Sequence, residues 1–216
     1  MNLLSAWLVH LYTASGALAA FFGTLAVFAG DYRQALLWMF GATVVDATDG
    51  WLARRVRVKE KLPGFDGARL DDIVDYLTFV FLPALFLHES GALPAGWIAG
   101  IASVVLLSSA YGFARDDAKT SDHFFSGFPS YWNIVALYLH IAALPPAWNA
   151  VIVLVLCILV FWRVGYVYPS RTPVLRAMTL VLAVVWSVVG GARILSVLRV
   201  PAAPLAVTAR GLAVAR

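Results

Sequence analysis

Apolar runs of about 20 residues, the length that a bilayer's hydrocarbon core demands of a helix, recur along this 216-residue chain. Seven can be drawn: 7–28, 35–53, 67–87, 95–113, one from behind Pro129 to the Pro145-Pro146 turn, 147–162 and 174–198. Backbone polar groups in lipid must be satisfied within the segment. The predicted class is therefore all-α, a polytopic membrane bundle of about seven transmembrane helices in a single domain, 1–216. The tail 199–216 is interrupted by Pro201, Pro204 and Arg199, Arg210 and Arg216. It makes a poor eighth span and reads as a frayed or interfacial end. Hydrophobic residues make up 62% and charged residues 13% of the chain. Its mean hydropathy is +0.82, and a soluble domain carries about a quarter charged residues. The first run lacks a basic leader and is long enough to span, so it reads as a retained helix. The single cysteine, Cys157, lies in an apolar run and reads as an inert packed side chain.

Charge orients the bundle. The segments 54–69, 115–119 and 163–176 carry most of the Lys and Arg, whereas the opposite loops hold only Arg33 before the tail. The positive-inside rule puts the basic segments and the amino terminus in the cytoplasm. The net charge of +4 is thus a statement about topology, and no nucleic-acid partner is implied.

Carboxylates are concentrated at one basic face. Residues 46–75 read D-x2-D-G-x2-A-R, twelve residues, then G-x3-D-x3-D. Asp46 and Asp49 stand at i,i+3, and Asp71 and Asp75 at i,i+4. On helices each pair shares a face, about 4.5–6 Å apart along the axis. Gly50, Ala53 and Gly67 lie beside the acids and leave room for a ligand near the backbone. Like charges this close need a counter-charge, and hard cations such as Mg²⁺ or Mn²⁺ take oxygen ligands together with phosphate. Arg54 offers a bidentate phosphate partner. Asp72 lies off this face and reads as solvated or Arg-paired.

The pattern resembles the signature of the CDP-alcohol phosphotransferases at Asp46, Asp49, Gly50, Ala53, Arg54, Gly67, Asp71 and Asp75. The spacer between Arg54 and Gly67 is longer than the commoner form. In this it resembles the bacterial phosphatidylcholine synthases, as do HLYTASG at 10–16, the polar loop 114–133 and YPSRTP at 168–173. The resemblance implies an enzyme that moves the phosphatidyl group of CDP-diacylglycerol to choline and releases CMP. It implies two Mn²⁺ or Mg²⁺ ions held by Asp46, Asp49 and Asp71 with Asp75 adding to the site, and Asp75 as general base. Asp49, Gly50, Ala53, Arg54 and Gly67 would bind the CDP pyrophosphate. A homodimer is implied as well, in the bacterial inner membrane, with the site facing the cytoplasm.

Residues 114–133 face the same side and are candidates for recognising the alcohol. Choline needs aromatic faces and a carboxylate nearby, which Tyr111, Tyr131, Trp132 and Tyr138 with Asp116 and Asp122 supply. As interfacial anchors the same aromatics are equally well accounted for. Asp116, Asp117, Asp122 and His123 match no compact metal spacing and read as a solvated loop. Arg171 and Arg176 are candidates for the lipid phosphate or are plain positive-inside anchors. His10, His88 and His140 are isolated and are assigned no role. Other acceptors (serine, inositol phosphate, glycerol phosphate) use the same signature. Asp71-Asp72-Ile73-Val74-Asp75 also spells the DDxxD of prenyl-diphosphate enzymes, although Gly50, Ala53 and Arg54 are not needed there. A divalent-metal transporter would carry its acids near the midplane, commonly with inverted repeats; here they cluster at one face and no repeat is visible.

Overall fold

A computed structural model describes residues 3–117 and 124–167, together with 181, 185 and 188. The described chain is a helical bundle with one small ribbon. Helix α1 spans Leu3–Phe28, α2 Tyr32–Val56 and the single turn α3 Val58–Lys61. Helix α4, Gly67–Asp75, runs through a π-helical stretch, Tyr76–Phe81, into α5, Leu82–Glu89. Helices α6, Ile98–Ala114, α7, Trp132–Ala142, and α8, Pro146–Phe161, follow. Strands β1, Phe124–Ser126, and β2, Gly165–Val167, pair antiparallel and form a ribbon that the apolar pattern did not announce. The predicted seventh span, 174–198, and the tail lie outside the described residues.

Helix α1 is long and apolar enough to cross a membrane by length and composition; α6, α7 and α8 are apolar but shorter. Helix α2 matches α1 in length, but its last turns carry the motif acids and Arg54 and Arg55, which the sequence placed at a water-facing end. The outer faces are apolar: Leu8, Leu11, Leu18 and Phe21 on α1, Leu107 on α6 and Ile158 on α8 are all exposed. Large apolar side chains exposed in this number suit a lipid-facing surface.

Among the described residues, two apolar clusters hold the bundle. The larger joins Leu36 and Met39 of α2, Leu82 and Phe86 of α5, Val105 of α6, Trp132 of α7 and Val153 of α8. The smaller packs Ala6 and Val9 of α1 against Val58 of α3, with Leu52, Ala53 and Val56 alongside. It pins the basic spacer to α1, and Lys61 Nζ donates to Ser5 Oγ at 3.1 Å beside it.

Local chemistry sets where the acid-bearing helices begin and end. The Asp31 side chain caps α2 by accepting from the Gln34 N–H at 2.9 Å. Arg57, left-handed at φ 57°, closes α2 through its N–H to the Ala53 and Arg54 carbonyls. Asp66 caps α4, accepting from the Arg69 N–H at 3.1 Å, so helix begins at Gly67 and carries Asp71 and Asp75 on successive turns. A side-chain cap of this kind contributes about 1 kcal/mol. The π-helical stretch follows Asp75 directly and precedes Pro83, whose missing N–H cannot continue an α-helical ladder. The Leu82 N–H reaches back five residues to the Leu77 carbonyl instead. Wide turns of this type are frequent at functional sites.

Candidate active site

Asp46 and Asp49 come from the second half of α2, and Asp71 from the middle of α4. One carboxylate oxygen of each lies within 4.8 Å of the other two. Asp49 is buried at 6% exposure, while Asp46 and Asp71 are half-buried. Metal–oxygen bonds of about 2.0–2.6 Å to one hard cation can reach across such a group. An all-oxygen donor set suits Mg²⁺ or Mn²⁺, so the residues present fit a divalent ion. Asp75, half-buried at the end of α4, stands outside that triad. Asp72 is exposed, as its off-face position implied.

The small motif residues acquire distinct physical reasons. A Cβ on Gly67 would lie 2.7 Å from Cε1 of His10, so α4 meets α1 through a glycine. A Cβ on Gly50 would lie 3.3 Å from an Arg54 guanidinium nitrogen; the arginine folds back over the glycine, on the helix that carries Asp46 and Asp49. Ala53 is seated in the smaller apolar cluster against α1 and α3, which is a packing reason for a small residue there.

One face of α1, spaced by three, touches both acid-bearing helices. His10 meets Gly67. Thr13 donates its hydroxyl to Asp49 Oδ2 at 2.8 Å. Gly16 admits Val74, whose Cγ1 would be 2.5 Å from a Cβ there. Next to it, Tyr12 and Thr48 share a 2.7 Å hydroxyl hydrogen bond. Sequence reasoning passed over Thr13 and left His10 without a role. The available signal was a run of polar residues inside an otherwise apolar helix.

The alcohol-recognition candidates sit in different surroundings. Trp132 is fully enclosed at 0% exposure, with Nε1 donating to Ser109 Oγ at 2.8 Å and Phe128 edge-on at 5.1 Å. It offers no open face to a cation and serves as a core side chain. Tyr111 is exposed, but the Arg115 guanidinium already lies 5.8 Å over its ring, with Phe161 at 4.8 Å. Tyr131 is half-buried, its ring 6.0 Å from that of Phe79, and Phe79 follows Asp75 by four residues in the chain. Tyr138 and Asp116 are exposed. Asp122, Arg171 and Arg176 lie outside the described residues. Trp132→Phe is expected to lower stability by about 1–3 kcal/mol, because it leaves the buried Ser109 hydroxyl without its donor. A thermal melt reads this, and an unchanged midpoint would show the bond to be idle.

Arg115 proves to be a clasp and not merely a loop charge. Its side chain, 9% exposed, donates to Asp117 Oδ1 at 2.7 Å. It also reaches the Ser126 carbonyl at 3.3 Å and the Val160 carbonyl at 3.2 Å. Arg163 holds the other Asp117 oxygen at 2.9 Å. The Arg115 hydrogen bond is the main cause that holds the Asp117 carboxyl below its usual range. These contacts bind the loop after α6 to the end of α8.

No family model matches the chain. Curated relatives do, each named phosphatidylcholine synthase. The Legionella pneumophila protein is 48% identical over 77% of this chain and 66% of its own length. The Rhizobium meliloti protein is 38% identical over 86% of this chain and 77% of its own. The Pseudomonas aeruginosa protein is 39% identical over 88% of this chain and 80% of its own. Likeness of this depth, together with a carboxylate triad assembled from the two halves of the signature, means that the chain belongs to the phosphatidylcholine synthase family.

Proposed function

We propose that the chain transfers the phosphatidyl group of CDP-diacylglycerol to choline and releases CMP at the Asp46–Asp49–Asp71 centre. The convergence of these three carboxylates from α2 and α4, in a chain whose relatives carry that enzyme's name, is the observation that carries this reading. Two divalent ions, Mn²⁺ or Mg²⁺, would supply neutralisation of the pyrophosphate and stabilisation of the leaving CMP.

The remaining work falls to side chains. Asp46, Asp49 and Asp71 hold the cations, with Asp75 contributing from the next turn. Arg54, lying over Gly50, takes a phosphate oxygen of the nucleotide, and Gly67 keeps α4 close to α1. Asp75 accepts the proton as the choline oxygen bonds to the phosphatidyl phosphorus and the phosphorus–oxygen bond to CMP breaks. A carboxylate near cations is a weak base, so the proton moves late along that path. Tyr131 is the aromatic best placed to face choline, with Asp116 and Asp122 as counter-charges, and Arg171 and Arg176 hold the lipid phosphate.

The setting is the bacterial inner membrane, with the site on the cytoplasmic side. The exposed apolar faces of α1, α6 and α8 and the basic segments beside the acids support it. The chain forms a single domain, and the assembly expected from the family resemblance is a homodimer.

Purified protein given CDP-diacylglycerol and Mn²⁺ is expected to release CMP with choline at least about tenfold faster than with serine, because pocket contacts must discriminate the two alcohols. EDTA should stop the reaction. Equal rates with serine and choline would reject choline as the acceptor, and full turnover in EDTA would reject the metal centre.

A further inference from the structure

We propose that Thr13 of α1 is a positioning residue for the metal centre, setting its affinity for divalent cation by holding Asp49. The inference rests on the metal-centre reading given above. Asp49 is the one fully buried acid of the triad, and a carboxylate removed from water needs hydrogen-bond donors in its place. Thr13 is itself buried at 7% exposure, so no bulk water competes for its hydroxyl.

That hydroxyl has one proton and two acceptors within reach. Asp49 Oδ2 is at 2.8 Å, and the Val9 carbonyl one turn back in α1 is at 3.4 Å. The shorter bond, to a group able to bear charge, is the stronger. Were the proton turned to Val9, the lone pairs of the threonine oxygen would face those of Asp49. The β-branched side chain has few rotamers available inside a helix, so the donor is held in place.

Contacts on either side of Thr13 hold α1 against both acid-bearing helices. Gly16, one turn on, brings Val74 of α4 against the α1 backbone. The Tyr12–Thr48 hydrogen bond at 2.7 Å ties α1 to α2 on the neighbouring side. One donor thereby restrains Oδ2 of a carboxylate that the proposed centre offers to a cation. Partners that orient metal ligands in this way typically change affinity by about 10–100-fold when removed.

The test measures Mn²⁺ binding directly, by the electron paramagnetic resonance signal of free Mn²⁺ over detergent-purified full-length protein. Thr13→Val keeps the shape and removes the donor, and Thr13→Ser keeps the donor. Thr13→Ala serves in place of Thr13→Val should that variant fail to fold. Thr13→Val is expected to raise the Mn²⁺ Kd by about tenfold. Its melting temperature in EDTA should fall, because buried Asp49 loses its donor, while the fold is kept and saturating Mn²⁺ should recover most of the CMP release. Thr13→Ser should bind as the parent does. Unchanged Mn²⁺ affinity in Thr13→Val or Thr13→Ala, alongside lost binding in Asp49→Asn, would overturn the role of Thr13 and leave the metal centre standing. Equal Mn²⁺ binding by the parent and Asp49→Asn would overturn the metal centre itself, and this inference with it.

Discussion

Replacing Asp46, Asp49 or Asp71 by Asn is expected to lower CMP release on the order of 10³-fold, while the melting temperature in EDTA holds or rises. The first half follows from removing a ligand and a charge from a centre that depends on both. A neutral donor to a transition-state charge is already worth about 10²–10³-fold, and a carboxylate bound to a cation contributes more. The second half follows from the same geometry. Three carboxylates with oxygens within 4.8 Å of one another repel when no cation lies between them. Asn is nearly isosteric, removes one charge and at position 49 can still accept from Thr13. Activity and stability should therefore move apart, which a simple folding defect would not produce. Asp75→Asn should also abolish turnover, through loss of the proposed base. Asp72→Asn, exposed on the other face of α4, should stay within about twofold, as surface substitutions usually do. Variants of the triad that lose activity and melting temperature together would show the acids to be structural.

The helices and the acid pairs were legible in the chain because apolar periodicity and motif spacing are local signals. Predicted spans at 7–28, 35–53, 95–113 and 147–162 match α1, α2, α6 and α8 within a few residues. The motif spacing anticipated four convergent acids, Asp46, Asp49, Asp71 and Asp75, and the bundle brings one oxygen each of the first three within 4.8 Å of one another. What was not legible depends on partners distant in sequence. Thr13 and Asp49 are 36 residues apart, and no pattern within α1 says that this threonine faces an acid. The π-helical stretch was signalled only by Pro83, which also has ordinary explanations near a helix start. The burial of Trp132 was hidden for a similar reason. An aromatic beside a polar loop looks like an interfacial or cation-binding group, and only the position of Ser109 on another helix makes it a core residue. Arg115 looked like one more cytoplasmic charge until the Val160 carbonyl, 45 residues on, was found beside it.

Gly67→Ala carries the second large expected effect, and here local propensity and tertiary contact point in opposite directions. Inside a helix Ala is favoured over Gly by roughly 0.5–1 kcal/mol, so even at the first residue of α4 local propensity alone would not disfavour the change. The contact with α1 says otherwise. The new methyl would sit 2.7 Å from Cε1 of His10, closer than carbon atoms pack. That ring is buried, with Phe65 at 4.3 Å and Trp7 at 6.1 Å beside it, so it swings away only by displacing these rings. The first turn of α4 must then lift from α1 and carry Asp71 with it. A displacement of about 1 Å at a reacting centre can cost about 10²-fold, and a loss of that order in CMP release is expected. The decisive measurement is the same substitution made in a His10→Ala background, where the space is open. His10→Ala alone should lose some stability through the cavity it leaves, but Gly67→Ala added to it should cost far less than in the parent. Coupling of this sign is what a double-mutant cycle resolves. If Gly67→Ala costs the same activity with and without His10, the glycine is required for something other than this contact, and the α1–α4 account of its place in the signature is wrong.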